Sequence, residues 1–316
     1  MFTEEKPLMI RLTGQSIVGE KQHRSGWPFA VAALKPLLSD DGILFDDFAD
    51  RSFTYTPIKE PRTEPWIGVF HHPHVITSPL PEHHRFNIRR LADHPCWEES
   101  KRHLVGAITL SKDLAIFVRQ WLGVPTFAVK HPTEIPPVQW SREKFEARNT
   151  RRVLQLGVTL RNTRAIYQLP PKEGIERARV LLPAWRKIDN RLRRLAVRKE
   201  FERSAVVEMP RLTDEQYDKM LGESIVLTEL YGASGSNVVV ECIARRTPLL
   251  INRLPAVEEY LGKNYPLYFD SMEHAAELVN SEKVFEAHEQ LQQMDVTALS
   301  SKVFCESVKQ AIQIIE

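Results

Sequence analysis

Short apolar runs alternate with amphipathic segments over the first 130 residues of the chain. WIGVF at 66–70 and VGAITL at 105–110 are apolar runs of strand length, whereas 111–123 repeats apolar positions at helical spacing. In that helix Ser111 is placed to cap the first turn, and Gly123 is placed to end the last. Further strands are predicted at 7–12 and 125–130, and a further helix at 28–38. Strand–helix–strand order predicts a parallel sheet with helical crossovers.

The alternation stops at 131–152 and then begins again. That stretch holds three prolines and many charges without an apolar period, which predicts an inter-domain linker. Beyond it, strands are predicted at 153–157, 205–209, 224–230, 247–252 and 266–269, with helices at 213–222, 237–246, 255–262 and from 271 onward. The predicted fold is α/β, with two tandem, doubly wound, Rossmann-like domains.

These patterns divide the chain into four parts. A first Rossmann-like domain is predicted at 1–140, a linker at 141–152 and a second Rossmann-like domain at 153–299. Residues 300–316 carry apolar positions at helical spacing and predict a C-terminal helix.

Composition and charge exclude several classes of protein. The chain has 43 basic and 41 acidic residues among 316, so its net charge of +2 gives no strong overall attraction to nucleic acid. Its three cysteines are far apart and form no CxxC, which argues against a disulfide framework and favours a reducing compartment. The N-terminus lacks the pattern of a secretory signal, and no apolar run approaches the ~20 residues that span a bilayer. We therefore expect a cytoplasmic protein.

The turn GASGSN leads from a predicted strand into the helix that begins at Asn237. The first-turn amides of a helix lack internal partners and carry partial positive charge, so this geometry suits a phosphate or diphosphate. Gly235 would admit a ligand close to the backbone, and Ser234 and Ser236 add hydroxyl groups. Glu241 is placed to accept hydrogen bonds from ribose hydroxyls. The alternative is an ordinary N-capping turn with Glu241 on the surface.

The block SGSNVVVECIARRTPLLINRLPAVEEYLG at 234–262 resembles the donor-binding half of GT-B glycosyltransferases. In that family a small-residue turn and a helix carrying a glutamate precede a GTP-like turn, a buried strand and a short helix. The corresponding features here are Ser234–Asn237, Glu241, the Arg246-Thr247-Pro248 turn, and the loop and short helix at Asn252–Leu261. Residues 153–162 resemble the first strand and loop of the same domain, and 110–134 resembles the end of the N-terminal domain.

The resemblance implies that a nucleotide-activated sugar binds in a cleft between the domains, with the acceptor held by the first. It also implies that the C-terminal helix packs back on the first domain. Glu241 matches the last glutamate of the Glu-x7-Glu motif of retaining enzymes, which usually contacts the ribose. The first glutamate falls on Ala233, and the nearest acid, Glu229, lies twelve residues before Glu241. Retention or inversion of the sugar's configuration therefore stays open.

The family often places a basic side chain near the donor diphosphate, in the first loop of the second domain. Arg161 and Arg164 occupy that loop here. A guanidinium binds two phosphate oxygens at once and offsets charge on the departing nucleotide. The alternative for both residues is a solvated arginine on a surface loop.

A histidine-rich cluster follows the strand at 66–70. His71 and His72 lie where the carboxyl end of a parallel strand borders a ligand crevice. A histidine there can serve as general base toward an acceptor hydroxyl or contact the donor sugar. Zinc-ligand spacing such as HExxH is absent, and the acid pairs in SDDGILFDDFAD at 39–50 are interpreted as a turn and helix start. No metal and no cofactor is expected.

Residues 186–203 form the most basic stretch, with eight basic and three acidic residues. This run is typical of a solvated helix, and it also predicts a peripheral contact with an anionic membrane surface. Aromatic residues are scarce within it, which argues against nucleic-acid binding.

Taken with the resemblance, these features predict a metal-independent glycosyltransferase. Its donor is a nucleotide-sugar, and its acceptor is a glycan, a lipid-linked molecule or another hydroxyl compound. The predicted site residues are His71 and His72 for catalysis and Arg161, Ser234, Gly235, Ser236, Asn237 and Glu241 for donor binding. The alternatives are a non-catalytic binding module of the same fold and a nucleotide-sugar isomerase or hydrolase.

Overall fold

The structure is a computed structural model that describes residues 9–13, 24–77, 86–180 and 205–315. Contacts between Cα atoms divide the chain into two units. Unit 1 comprises residues 1–134, 232–237 and 297–316, and unit 2 comprises 135–231 and 238–296.

Within the described residues, each unit contains one parallel sheet of five strands. The strands of unit 1 are β1 (Ile10–Leu12), β2 (Ile43–Asp46), β3 (Trp66–Phe70), β4 (Leu104–Thr109) and β5 (Thr126–Ala128), and they neighbour one another in chain order. The strands of unit 2 are β6 (Arg151–Gln155), β7 (Ile175–Val180), β8 (Val206–Met209), β9 (Ile225–Thr228) and β10 (Leu249–Ile251). The α/β prediction of two parallel-sheet domains is confirmed.

Twelve α-helices flank the sheets within the described residues. The first six are α1 (Trp27–Ala33), α2 (Ala49–Thr54), α3 (Trp97–Arg102), α4 (Lys112–Leu122), α5 (Arg142–Glu146) and α6 (Ala165–Gln168). The other six are α7 (Asp214–Gly222), α8 (Asn237–Arg245), α9 (Pro255–Leu261), α10 (Met272–Val279), α11 (Lys283–Gln293) and α12 (Ser301–Ile315). Short 3-10 helices lie at Lys35–Leu37, Ile88–Asp93 and Val296–Leu299.

Both faces of the sheet in unit 1 are covered, because side chains alternate along each strand. Phe45 and Ile67 belong to a cluster with α1 and α12, whereas their neighbours Leu44 and Trp66 belong to a cluster with α2, α3 and α4. On α12 the residues Phe304, Val308, Ala311 and Ile312 face the first cluster. The C-terminal helix therefore lies in unit 1.

The sheet of unit 2 reverses its strand order at β6. The order is β10-β9-β6-β7-β8, so the chain first moves outward from β6 to β7 and β8 and then returns to the other side with β9 and β10. The carboxyl ends of β6 and β9 thus flank a topological switch point, where ligands bind in open α/β sheets.

Several local predictions are confirmed and several are wrong. The side chain of Ser111 caps α4, which ends at Gly123 with φ of 70°, and Thr213 caps α7 in a capping box, as the sequence predicts. The helix predicted at 28–38 ends at Ala33, because Pro36 lies in a separate 3-10 helix that begins at Lys35. The strand predicted at 266–269 is reduced to one bridge between Ile251 and Tyr268.

Two further strands are not predicted by the hydrophobic pattern. β2 lies within the acidic segment interpreted as a turn and helix start, and β7 lies in a stretch rich in charged residues. In the predicted linker at 141–152, the structure forms α5, with Phe145 buried, and the first two residues of β6.

Candidate functional site

Arg161 lies in the loop that follows β6, at the switch point of unit 2. Its Nη1 donates to the carbonyl of Leu156 at 2.9 Å, and its Nε donates to the carbonyl of Thr159 at 3.2 Å. A Cβ on Gly157 would lie only 2.6 Å from Nη1, and Gly157 has φ of 68°. Glycine is therefore required here both for the left-handed backbone and for the close approach of the guanidinium. The Nη2 group makes no hydrogen bond to any described residue.

Glu241, the predicted ribose ligand, acts electrostatically on Arg161. Burial lowers the pKa of the Arg161 guanidinium, and the Glu241 carboxylate opposes that shift. Glu241 is only 3% exposed, which overturns the alternative that it is a surface residue. The structure thus brings two of the predicted donor-binding residues together inside unit 2.

Tyr217 on α7 holds the Glu241 carboxylate by donating its phenolic hydrogen to Oε2. Burial and the neighbouring carboxylate raise the pKa of Tyr217 well above its usual value, so the phenol stays a donor. Asp218 binds the buried Arg245 with Oδ1–Nη2 at 2.8 Å, and Arg245 lies over the Tyr217 ring at 5.6 Å. Sequence spacing did not indicate Tyr217, because the contact joins residues 24 positions apart.

Three side chains fix the course of the Arg161 loop. The buried Gln155 amide donates to the Asn162 carbonyl at 2.6 Å and accepts from the Ile166 amide at 2.9 Å. The Asn162 side chain donates to the Glu229 carboxylate at 2.7 Å. Glu229, the acid nearest to the missing motif position, is therefore engaged in holding this loop.

Ser234 and Ser236 precede α8 and are buried, at 1% and 9% exposure. Neither hydroxyl has a hydrogen-bond partner among the described residues. An N-capping serine would accept a hydrogen bond from a first-turn amide, so the alternative of an ordinary capping turn is not what the structure forms. Two unpartnered buried hydroxyls thus lie at the N-terminus of a nine-residue helix, where the first-turn amides carry partial positive charge.

Close packing around position 235 favours glycine there. A Cβ at this position would lie 3.0 Å from the side chain of Leu110 and 3.4 Å from Cβ of His131, all within unit 1. The space above its Cα is thus filled by protein. Asn237 is the first residue of α8 and is half-buried.

His71 lies at the carboxyl end of β3, wedged between two aromatic rings. The centroids of Trp27 and Phe48 lie 4.1 and 4.0 Å from the imidazole. Its Nε2 lies 3.0 Å from the carbonyl of Asp47. A carbonyl only accepts, so Nε2 carries the proton and Nδ1 is left as an acceptor. Burial lowers the pKa of His71 to about 4, so the ring is neutral at physiological pH.

His72 follows His71 in the chain, and Asp50 binds the backbone of both histidines. Asp50 accepts the backbone N–H of His71 at 2.6 Å and that of His72 at 3.3 Å. The His72 imidazole places Nδ1 3.4 Å from Asp50 and Nε2 2.7 Å from the Tyr55 hydroxyl. Burial raises the pKa of Asp50 to about 6. His72 is buried, so of the two predicted histidines His71 is the more accessible.

The acids of the 39–50 segment bind protein groups. Asp46 pairs with Arg62 and accepts from Ser52 at 3.1 Å, and Asp47 accepts from the Trp27 indole at 2.9 Å. Among the described residues no group of three or more His, Cys, Asp or Glu side chains is arranged to hold a metal ion.

The basic run 186–203 lies outside the described residues. In the part of the chain that the structure covers, every helix is too short or too polar to cross a bilayer.

Comparison with solved structures identifies the fold. The chain is similar to Anabaena HepE in complex with UDP, at 13% identity and a TM-score of 0.60 over 97% of this chain and 100% of that protein. It is similar to a mutant of Staphylococcus aureus TarM in complex with fondaparinux, α-GlcNAc-glycerol and UDP, with a TM-score of 0.61 and 13% identity. This chain has the GT-B fold.

The GT-B likeness extends to a third structure, the pneumococcal O-GlcNAc transferase GtfA in complex with UDP and GlcNAc, at 8% identity and a TM-score of 0.60. The matches cover 90% and 91% of this chain but only 58% of TarM and 59% of GtfA. No known protein-family profile matches the chain, and no curated protein matches it by sequence. At these identities the GT-B fold is shared, and activity has to be argued from this chain's own residues.

Proposed function

We propose that this chain is a glycosyltransferase that moves a sugar from a nucleotide-sugar donor to a glycan, lipid-linked or other hydroxyl acceptor. The observation that carries the proposal is the pair of buried, unpartnered hydroxyls of Ser234 and Ser236 at the N-terminus of α8. A phosphate oxygen bound there would satisfy both hydroxyls and the first-turn amides together. In the described structure no protein group forms a hydrogen bond with either hydroxyl.

Arg161 and Glu241 support the same assignment. Arg161 offers an Nη2 group that no described residue uses, and its other contacts fix the plane of the guanidinium. It would bind a diphosphate oxygen and offset the charge that develops on the leaving nucleotide. Glu241 would accept hydrogen bonds from ribose hydroxyls, and a carboxylate accepts several such bonds at once, including that of Tyr217.

His71 is proposed to bind a sugar hydroxyl through Nδ1. A pKa of about 4 makes the imidazole a weak base, so it is better suited to accepting a hydrogen bond than to removing a proton near neutral pH. His72 and Asp50 would hold the backbone that presents it. The proposed transfer uses no metal, in a cytoplasmic protein that contacts membrane surfaces through 186–203.

UDP is the first nucleotide to test, because HepE, TarM and GtfA were each solved with UDP bound. Thermal unfolding would be measured with UDP-, GDP-, ADP-, TDP- and CMP-linked sugars. A ligand at 100 times its Kd adds about 2.7 kcal/mol of stability. We expect one nucleotide class to raise Tm, and Glu241→Ala to weaken that response. No response to any nucleotide, or an unchanged response in Glu241→Ala, would contradict the assignment.

A non-catalytic binding module is the second candidate, and Ala233 favours it because the motif carboxylate is missing there. Product analysis separates the candidates. Transfer releases nucleotide only when an acceptor is present, hydrolysis or isomerisation proceeds without one, and a module binds without turnover.

A further inference from the structure

Asn252 follows β10 and pairs with both backbone polar groups of one residue. Its Oδ1 accepts the N–H of Leu230 at 2.7 Å, and its Nδ2 donates to the carbonyl of Leu230 at 2.9 Å. Leu230 is 2% exposed, so neither backbone group has solvent as an alternative partner.

The other edge of the same segment pairs with the Arg161 loop. Leu230 and Arg161 form an antiparallel bridge, in which Asn162 N donates to the Glu229 carbonyl and Tyr231 N donates to the Leu160 carbonyl, each at 2.8 Å. In an extended segment successive backbone groups point to opposite edges. Leu230 therefore turns its own N–H and carbonyl away from Arg161 and toward Asn252.

From this arrangement we infer that Asn252 is a positioning residue for Arg161, an inference that rests on the proposed donor-binding role of that arginine. Asn252 holds segment 229–231, and that segment in turn holds 160–162. All of these residues lie in unit 2. Asn252 forms no hydrogen bond with Arg161 in the described structure, so its effect passes through Leu230.

The Arg161 loop needs such a restraint because part of its backbone is unfavourable. Leu160 has φ of 51°, a left-handed conformation that is unfavourable for a residue with a Cβ. When the 229–231 segment loosens, Leu160 gains by leaving this conformation. Arg161, the next residue, would then move with it.

Only a short amide supplies what Leu230 requires. Asparagine offers one donor and one acceptor side by side, whereas aspartate lacks the donor and alanine lacks both. Asn252→Asp therefore removes one of the two hydrogen bonds to Leu230, and Asn252→Ala removes both. Gln290→Ala is the matched control, since its amide donates to the Leu261 carbonyl at 2.8 Å on another part of unit 2.

The first experiment is hydrogen exchange of the unliganded protein. In Asn252→Ala we expect the amides of Asn162 and Tyr231 to exchange about tenfold faster, because the ladder they form opens more often. In Gln290→Ala their protection should not change. Protection of both amides in Asn252→Ala equal to that of the wild type would overturn the inference.

The second experiment measures the affinity for UDP and for uridine. Asn252→Ala should lower the affinity for UDP about tenfold and leave the affinity for uridine unchanged, because Arg161 is proposed to bind the diphosphate. In an Arg161→Ala background the same substitution should have no further effect, because a positioning residue acts only through the side chain it positions. If the double variant loses UDP affinity by the full product of the two single losses, the inference is overturned. If the wild-type protein binds no nucleotide, the proposed function fails, while hydrogen exchange still decides the role of Asn252 in the loop.

Discussion

The carboxylates near the ends of β2 and β3 differ from polar groups in the loops after β6 and β9 in how they are satisfied. At the first place Asp46 binds Arg62 and Ser52, and Asp50 binds the backbone of His71 and His72. After β6 and β9 the loop backbones are also held by side chains. There, however, Nη2 of Arg161 and the hydroxyls of Ser234 and Ser236 have no partner in the described structure.

Under the proposed function, the difference separates carboxylates that stabilise the fold from groups that a bound ligand would satisfy. A buried polar group without a partner costs about 1–3 kcal/mol, and it persists where a bound molecule supplies the missing hydrogen bond. Groups that already bind one another contribute mainly to stability. The same residue types should therefore respond differently to substitution in the two regions.

The largest expected effect is on stability, at the Asp46–Arg62 pair. Asp46 is 1% exposed and the Arg62 side chain 9%, so Asp46→Ala leaves a largely buried guanidinium without its carboxylate and should lower the free energy of unfolding by about 3–5 kcal/mol. Chemical denaturation measures the loss. Asp93→Ala is the control, because its partner Arg90 is exposed and the pair should contribute less than about 1 kcal/mol. Equal losses of unfolding free energy in Asp46→Ala and Asp93→Ala would contradict this prediction.

The second effect is on ligand affinity, at Arg161. Arg161→Ala removes charge-assisted hydrogen bonds worth about 1.5–3 kcal/mol, so the affinity for UDP should fall about 10- to 100-fold in titration calorimetry. Arg253→Ala is the control, since Arg253 is exposed and pairs with Glu258 at 2.9 Å. A similar loss of affinity in both variants would indicate a general charge effect instead of a site.

The third test makes one substitution in both regions. Ser52→Ala removes a hydrogen bond to Asp46 and should lower stability by about 1 kcal/mol. Ser234→Ala and Ser236→Ala remove hydroxyls without partners, so stability should stay within about 0.5 kcal/mol while UDP binds several-fold more weakly. Denaturation and calorimetry on the same three variants give the comparison. If Ser234→Ala and Ser236→Ala lower stability but not the affinity for UDP, the two hydroxyls stabilise the fold and do not bind the ligand.

The fourth expected effect is a change in the pH dependence of stability. His71 has its pKa lowered to about 4, so the unfolded state binds more protons between pH 4 and 6.5, and this group makes stability rise with pH. Asp50 has its pKa raised to about 6, so the folded state binds more protons between pH 4 and 6, and this group makes stability fall. The two contributions oppose each other in the wild type.

His71→Gln should leave the Asp50 contribution uncompensated. Between pH 4 and 6 the stability of the variant, relative to the wild type, should fall by up to about 1.4 kcal/mol per pH unit. Denaturation at a series of pH values measures the slope. Parallel curves for the two proteins would show that His71 is not held neutral by its surroundings.

Much of the fold follows from local patterns. Apolar runs predicted β3, β4 and β9, and the caps Ser111 and Thr213 placed the starts of α4 and α7, because hydrogen bonds within a turn depend only on neighbouring residues. The sequence missed β2 and β7, where charged residues interrupt the apolar pattern and the strand is decided by its neighbours in the sheet.

The sequence by itself also determined the glycine- and serine-rich turn before α8, the arginine in the loop after β6 and the histidines after β3. Tertiary structure alone decided which of these groups already have partners. Three contacts join residues more than twenty positions apart: the Tyr217–Glu241 hydrogen bond, the hydrogen bond from His71 Nε2 to the Asp47 carbonyl, and the pairing of Asn252 with Leu230. Such contacts depend on how strands and helices pack, and spacing along the chain carries no signal of them.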